Sequence, residues 1–307
     1  MTVPVKFLVL LDGSPRSFHT LDYIAAVRPF RKFYLVLFQV MGEVPEYYWD
    51  MVAETGSVHG IQEIERWQRD AKRQSEAFMA EARDRLVSSG FDDGRIETRL
   101  HARVVGVARD ILEEAKRGYD GVVMRRRGQG NIKGVVVGSV ANKLLSRLPD
   151  IPVILAGVRN QNKKMLLAVG GAESADRMVA TVTAMIGGYD YRIELLHVIR
   201  DSGRNDLQGA GAIPADMVDR FAGDIKKRLH DLREKLILAG FAPDSVTETI
   251  TQGVTSRAEA IVAEAEARDC STIVMGRRGP SDPEDIVTGS VCSKVIHRGR
   301  ELTVWIT

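Results

Sequence analysis

VMGRRGPSDPEDIVTGSV, residues 274–291, sets Gly276, Gly279 and Gly289 after a short apolar run, with Ser290 following at once. VMRRRGQGNIKGVVVGSV, residues 123–140, has the same shape: Gly128, Gly138 and Ser139 fall in register, and Arg125 stands where the first glycine falls. Met once, such a passage fits any tight strand-to-helix connection. Met twice, 151 residues apart, it is one landmark of a repeat, and a repeat decides the fold before any single element does.

Other landmarks keep the same order. VVM at 122–124 matches IVM at 273–275, and SSGF at 88–91 matches LAGF at 238–241. FLVLLDGS at 7–14 matches MLLAVGGA at 165–172, and LVLFQV at 35–40 matches IELLHV at 193–198. The period is the length of a whole domain, so the chain reads as a tandem duplication, with about seven extra residues after the second strand of the first half. The expected domains are 1–158 and 164–307, joined through the polar, basic GVRNQNKK at 157–164.

Each half alternates strands and helices. KFLVLL is a continuous apolar run, as for a strand covered on both faces. Ser14 and Pro15 mark a helix start, a capping hydroxyl before a proline. FYLVLFQV is a second strand, and a long polar helix over about 61–88 places Ile64, Trp67, Ala71 and Phe78 near helical spacing before Gly90 ends it. RIETRL, YDGVVM and IPVILAG supply three more strands, with helices over about 104–117 and from Ser139 between them. The second half repeats this through Ser256 and Glu259, a capping-box spacing, to LTVWIT. Such alternation predicts two tandem five-stranded parallel sheets, an α/β fold with helices on both faces. Both halves end in an apolar strand, and exposed edges pair. The two final strands are therefore expected side by side and antiparallel, making an intramolecular pseudo-dimer; a homodimer is also open.

Composition narrows the function. The chain has 307 residues and a net charge of +2, which gives no strong case for nucleic acid. No apolar window is long enough for a membrane span. The N-terminal apolar run is short and interrupted by Asp12, so a strand is expected there rather than a leader. Cys270 and Cys292 have no metal spacing around them and fit a reducing cytoplasm.

In doubly wound sheets, ligands sit beyond the carboxyl ends of the strands where strand order reverses. The glycine loop leaves the fourth strand at that end, and the helix after it would turn free amides towards an anion. The loop lacks the Gly-Lys-Ser/Thr ending of a P-loop, and it does not follow the first strand as a dinucleotide fingerprint does.

The pattern Gly-two residues-Gly-nine residues-Gly-Ser after VVM or IVM, with LVLLDGS and HARVVGVARDILEEAKRGYDGVVM, resembles the universal stress protein family over nearly the whole chain. The resemblance implies an adenine nucleotide alpha hydrolase-like, Rossmann-like fold, with ATP bound in one branch of the family and no nucleotide in another. It implies pairing through the last strands as well. Carried over by position, Asp12 would meet the nucleoside in half one, the backbone of Val40 the adenine, and Gly128, Gly138 and Ser139 the phosphates, with Asn142 just inside the helix; Arg125 breaks the pattern. In half two Gly276, Gly279, Gly289, Ser290 and Val198 are in place, but Gly170 replaces the acid, and Asp282, Glu284 and Asp285 would repel phosphate. Half one thus reads as a degenerate nucleotide site, and any nucleotide is expected in half two, weakly. Arg125 is expected to turn inward and pair with Asp12, sealing half one. Arg126, Arg127, Arg277 and Arg278 read as phosphate contacts or solvated loop cations.

AVGGAESA at 168–175 is only a faint match to a pyrophosphatase loop, with Val169 and Glu173 in place of its serine and aspartate. The histidines are scattered, and His197 reads as a hydrogen-bonded core residue. EYYWD at 46–50, in the extra segment, reads as a loop packed on its own domain, with cleft cover or partner contact as the other uses. Two function classes remain: a stress-response module that binds ATP or another adenine nucleotide, with Mg only alongside bound ATP, and a nucleotide-free interaction module acting through protein partners. No residue is placed as a base or water-orienting group, so slow ATP hydrolysis is the upper limit of any enzyme activity.

Overall fold

The computed structural model describes residues 5–56, 58–126, 138–200, 215–277 and 288–307. The first half runs β1 (Lys6–Leu10), α1 (Phe18–Ala26), β2 (Tyr34–Met41), α2 (Glu46–Thr55), α3 (Val58–Ser88), β3 (Ile96–Ala102), α4 (Val107–Ala115), β4 (Gly121–Arg125), α5 (Ser139–Arg147) and β5 (Val153–Ala156). The second runs β6 (Lys164–Ala168), α6 (Ala172–Ile186), β7 (Arg192–Arg200), α7 (Ala215–Leu238), β8 (Val246–Val254), α8 (Arg257–Ala267), β9 (Thr272–Met275), α9 (Ser290–Arg298) and β10 (Thr303–Ile306).

The two five-stranded sets form one ten-stranded sheet in the order β3-β2-β1-β4-β5-β10-β9-β6-β7-β8. Every neighbouring pair is parallel except β5 and β10, which meet antiparallel with Ile154 opposite Trp305. The expected pairing of the final strands is therefore observed, and it leaves neither of these apolar strands at an edge. Two apolar layers, one on each face, run across both halves, which is why the central strands are mostly apolar on both faces rather than at alternate positions. The Trp305 indole N–H donates 2.8 Å to the Tyr23 hydroxyl, tying the last strand of half two to α1 of half one.

Local signals explain most boundaries. Ser256 caps α8 by accepting from the Glu259 amide, as its spacing predicts. Gly90 ends α3 with a φ of 94°, a value that only glycine adopts without strain. The start of α1 differs from expectation. Pro15–Ser17 forms a short 3-10 turn first, and the Ser14 hydroxyl donates to Asp12 instead of capping a helix. The 157–163 linker is pinned to half two: Arg159 pairs with Asp269 at 2.6 Å, and the Gly157 amide donates to Thr303 at 3.0 Å.

The extra segment of half one also departs from expectation. Residues 46–50 belong to helix α2 and are all exposed, so this stretch is helical and faces outward rather than forming a packed loop. Of the four apolar positions expected along α3, Ile64 is buried and Phe78 packs against the core, whereas Trp67 is exposed. Among the described residues, no helix is long and apolar enough to cross a membrane.

Candidate functional site

Strand order reverses between β1 and β4 in half one and between β6 and β9 in half two. At these two switch points neighbouring strands send their connections to opposite faces, which opens a crevice at their carboxyl ends. The residues singled out by the sequence converge there: Asp12 and Arg125 follow β1 and end β4, and Gly170 and Gly276 hold the corresponding places after β6 and β9.

In half one the Asp12 carboxylate is committed to its own loop. Its Oδ1 accepts from the Ser14 amide at 3.0 Å, the Ser14 hydroxyl at 2.6 Å and the Ser17 hydroxyl. Gly13 turns the chain at a φ of +74°, and a β-carbon there would stand 2.6 Å from Gln39 Nε2. Gln39 is buried, and Val40 follows it at the half-buried end of β2.

Arg125 is half-buried at the end of β4, and its Nη1 is enclosed without a hydrogen-bond partner. Burial lowers its pKa; the Asp12 carboxylate acts against this, and Arg16 adds to it. The side chain therefore turns inward, as expected. The fork to Asp12 is not formed, because no ion pair within 4.0 Å joins the two, and the serines hold the carboxylate instead. Gly138 caps α5 in extended conformation, and Ser139 opens that helix on the surface; Gly128 lies outside the described residues.

In half two Gly276 follows β9, Gly289 caps α9 at a φ of −66° and ψ of 160°, and Ser290 is the first helical residue. Gly279, Arg127, Arg278, Asp282, Glu284 and Asp285 lie outside the described residues. Gly170 stands in open space: a β-carbon there would meet only Ser174 Oγ, at 3.7 Å. Val198 is buried in β7. His197, one residue earlier, donates from Nδ1 to the Val169 carbonyl at 3.0 Å, and burial lowers its pKa. It is the satisfied core histidine that its apolar strand suggests. The pyrophosphatase-like stretch forms an ordinary helix start, with Ser174 bonded to the Gly171 carbonyl and Glu173 paired with Arg177 on the surface. Among the described residues, no group of three His, Cys, Asp or Glu is arranged to hold a metal.

Arg126 and Arg277 correct the sequence reading. Neither is a solvated cation nor faces a crevice; they are 7% and 6% exposed and cross between the halves. Arg126 donates from Nη1 to the carbonyls of Ile296 and Gly299 at 2.6 and 2.7 Å, and from Nη2 to Leu302 at 2.7 Å. Arg277 donates to the Leu145 and Ile151 carbonyls at 2.6 Å each. Each guanidinium thus closes the carbonyl end of the other half's last helix, where a cation also meets the negative pole of the helix dipole. Burial pulls both pKa values down to about 10, which leaves both charged at neutral pH.

The backbones of the same two residues close a ring. The Arg126 carbonyl accepts from the Gly138 amide at the head of α5, and the Arg277 carbonyl from the Gly289 amide at the head of α9. Each arginine therefore holds the start of its own last helix with its main chain and the end of the opposite one with its side chain. The one signal available beforehand was positional. An arginine stands at the same place in both repeats, directly after a position where the repeats differ.

Comparison with known proteins agrees with this architecture. The family model described as "Universal stress protein family" matches the chain twice, over residues 5–156 and 161–300. The chain is 25% identical over 138 residues to the universal stress protein YxiE of Bacillus subtilis, a stretch covering 43% of this chain and 90% of that protein. Among solved structures, a universal stress protein from Archaeoglobus fulgidus superposes with a TM-score of 0.63 at 20% identity, over 98% of this chain and 97% of its own. A protein of unknown function from Pseudomonas aeruginosa PAO1 gives 0.57 at 14% identity, over 99% and 92%. These likenesses at low identity establish the fold; the double match over nearly the whole length establishes the kinship. The chain belongs to the universal stress protein family and carries its domain twice.

Proposed function

We propose that this protein is a cytoplasmic stress-response module whose second half binds an adenine nucleotide weakly, while its first half does not. One contrast carries the reading. At the switch point of half two, Gly276 adds no side chain and Gly289 and Ser290 open α9; at that of half one, the Arg125 guanidinium is turned inward. The half-two residues fit the phosphate end of a nucleotide: the first amides of α9 and the Ser290 hydroxyl are donors at the positive pole of a nine-residue helix. They fit the nucleoside end only in part, because Gly170 offers space and no carboxylate. Bound ATP would supply phosphoryl groups together with Mg. This chain's residues would orient those groups, and among the described residues none is placed to activate water.

The loss of one charged hydrogen-bond partner weakens binding by roughly 1–3 kcal/mol, about ten- to a hundredfold. The test is calorimetric titration of the full chain with ATP, combined with mass spectrometry of small molecules released on denaturation. One site, with a dissociation constant weaker than about 1 μM, is the expected result. Binding confined to half one overturns the assignment of halves, and no binding at millimolar ATP favours a nucleotide-free interaction module.

A further inference from the structure

The arm formed by α2 and the first half of α3 exposes a group of large aromatic and apolar side chains. Tyr47, Trp49 and Met51 on α2 are 54%, 40% and 56% exposed, and Trp67 on α3 is 50% exposed. Between Val58 and Arg73 only Ile64 is buried. A helix of ten residues is marginal in water by itself, and most helices in proteins are held by packing of an apolar face. Here α2 buries nothing in its own chain. Tryptophan and tyrosine, large apolar surfaces with a polar handle, are the residues most enriched at binding hot spots, and a contiguous exposed set of them marks a contact face.

The position of the arm is set by its ends. It leaves the carboxyl end of β2 through buried Val44, and Glu43 pairs with Arg103, just past β3, at 2.9 Å. At 31 residues α3 is about 46 Å long, well beyond the length of a strand, so its excess projects past the sheet on the crevice side.

Charge decides what fits the arm. Around α2, residues 42–57 carry four carboxylates, Glu43, Glu46, Asp50 and Glu54, all exposed, and no lysine or arginine, whereas the α3 part of the arm mixes Glu63, Glu65 and Asp70 with Arg66, Arg69, Lys72 and Arg73. Two α2 helices packed together would set like charges against each other. An arm on the body of a second copy would be a head-to-tail contact that propagates unless the rotation closes. We propose that the α2–α3 arm docks a lysine- or arginine-rich amphipathic segment of another protein, with apolar side chains on the Tyr47–Met51 face and cations among the carboxylates.

The probe is a fluorescein-labelled peptide of leucine and lysine at helical spacing, about 18 residues long, with glutamate in place of lysine as its control. Anisotropy with the full chain should give a dissociation constant of about 10 μM or tighter for the lysine peptide and none for the control. Raising salt from about 50 to 500 mM should weaken binding at least tenfold. The variant Tyr47→Ser/Tyr48→Ser/Trp49→Ser should lose at least about tenfold in affinity with an unchanged melting temperature, because all three residues are exposed. Equal affinity of that variant, or equal binding of the glutamate peptide, overturns the proposal. So does a concentration-dependent dimer in sedimentation that the variant abolishes, since that assigns the face to a second copy.

Discussion

Each glycine loop opens with two residues of different fate: Arg125-Arg126 in half one and Gly276-Arg277 in half two. The second residue is arginine in both, and in both it passes through the interface to carbonyls of the other half. The first faces the crevice, and there the halves diverge. The same divergence runs through the crevice floor: Asp12, Gly13 and Gln39 of half one answer to Gly170, Gly171 and His197 of half two. A side chain locked between two bodies must satisfy fixed acceptors on the far side. A side chain beside a crevice meets no such fixed set of acceptors and is freer to differ. The crossing arginines are therefore kept in both halves while the crevice residues beside them differ.

The comparison breaks most severely at Trp305, whose partner across the pseudo-twofold is Ile154. Trp305→Ala should cost about 3–5 kcal/mol in urea unfolding, for the cavity and the abandoned Tyr23 hydroxyl. If Ile154→Ala costs as much, the seam is more symmetric than its residues. Next come the crossing arginines. Arg126→Met removes three hydrogen bonds and Arg277→Met two, so losses of about 2–4 kcal/mol are expected, larger for Arg126. The double variant should depart from additivity by more than about 0.5 kcal/mol; simple addition would dissolve the ring into two separate contacts.

Gly13→Ala and Gly171→Ala form a matched pair. The first places a β-carbon at positive φ against Gln39 and should destabilise by about 1–3 kcal/mol. The second, at a φ of −64°, should stay within about 0.5 kcal/mol. Exchanging the crevice residues sharpens the contrast in binding. Gly170→Asp should tighten ATP binding about ten- to a hundredfold, and Arg125→Gly should add a second site; calorimetric stoichiometry separates the two effects.

The smallest effect is a pH slope. Burial lowers the His197 pKa in the folded chain, so as pH falls through the ordinary histidine range near about 6.5 the unfolded chain binds the proton more readily, and stability drops. His197→Gln, the half-one residue, should flatten melting temperature against pH between about 5 and 7.

Much of this was legible in the chain, because its signals are local or repeated. The inner strands are mostly apolar since both faces are covered, the Ser256–Glu259 cap needs only four residues of context, and the duplicated landmarks predict the antiparallel seam. The crevice residues could be placed by position along the strands, but their commitments could not. Asp12 is taken by Ser14 and Ser17 rather than by Arg125, an outcome set by the 3-10 turn that Pro15 begins. The aromatic residues of α2 carry helical and loop readings equally well in one dimension, and only their exposure shows that they face outward.

The amino-acid sequence by itself determined the duplication, the alternating elements and which residues follow the strand ends at each switch point, because backbone propensity and apolar periodicity act over a few residues. Tertiary structure alone decided where the charges go. Arg126 and the carbonyls it meets are 170 to 176 positions apart, and Arg277 lies 126 and 132 from its own. Those acceptors come together only after β5 and β10 pair. A charged side chain is buried only where such a set of acceptors already exists to replace its water.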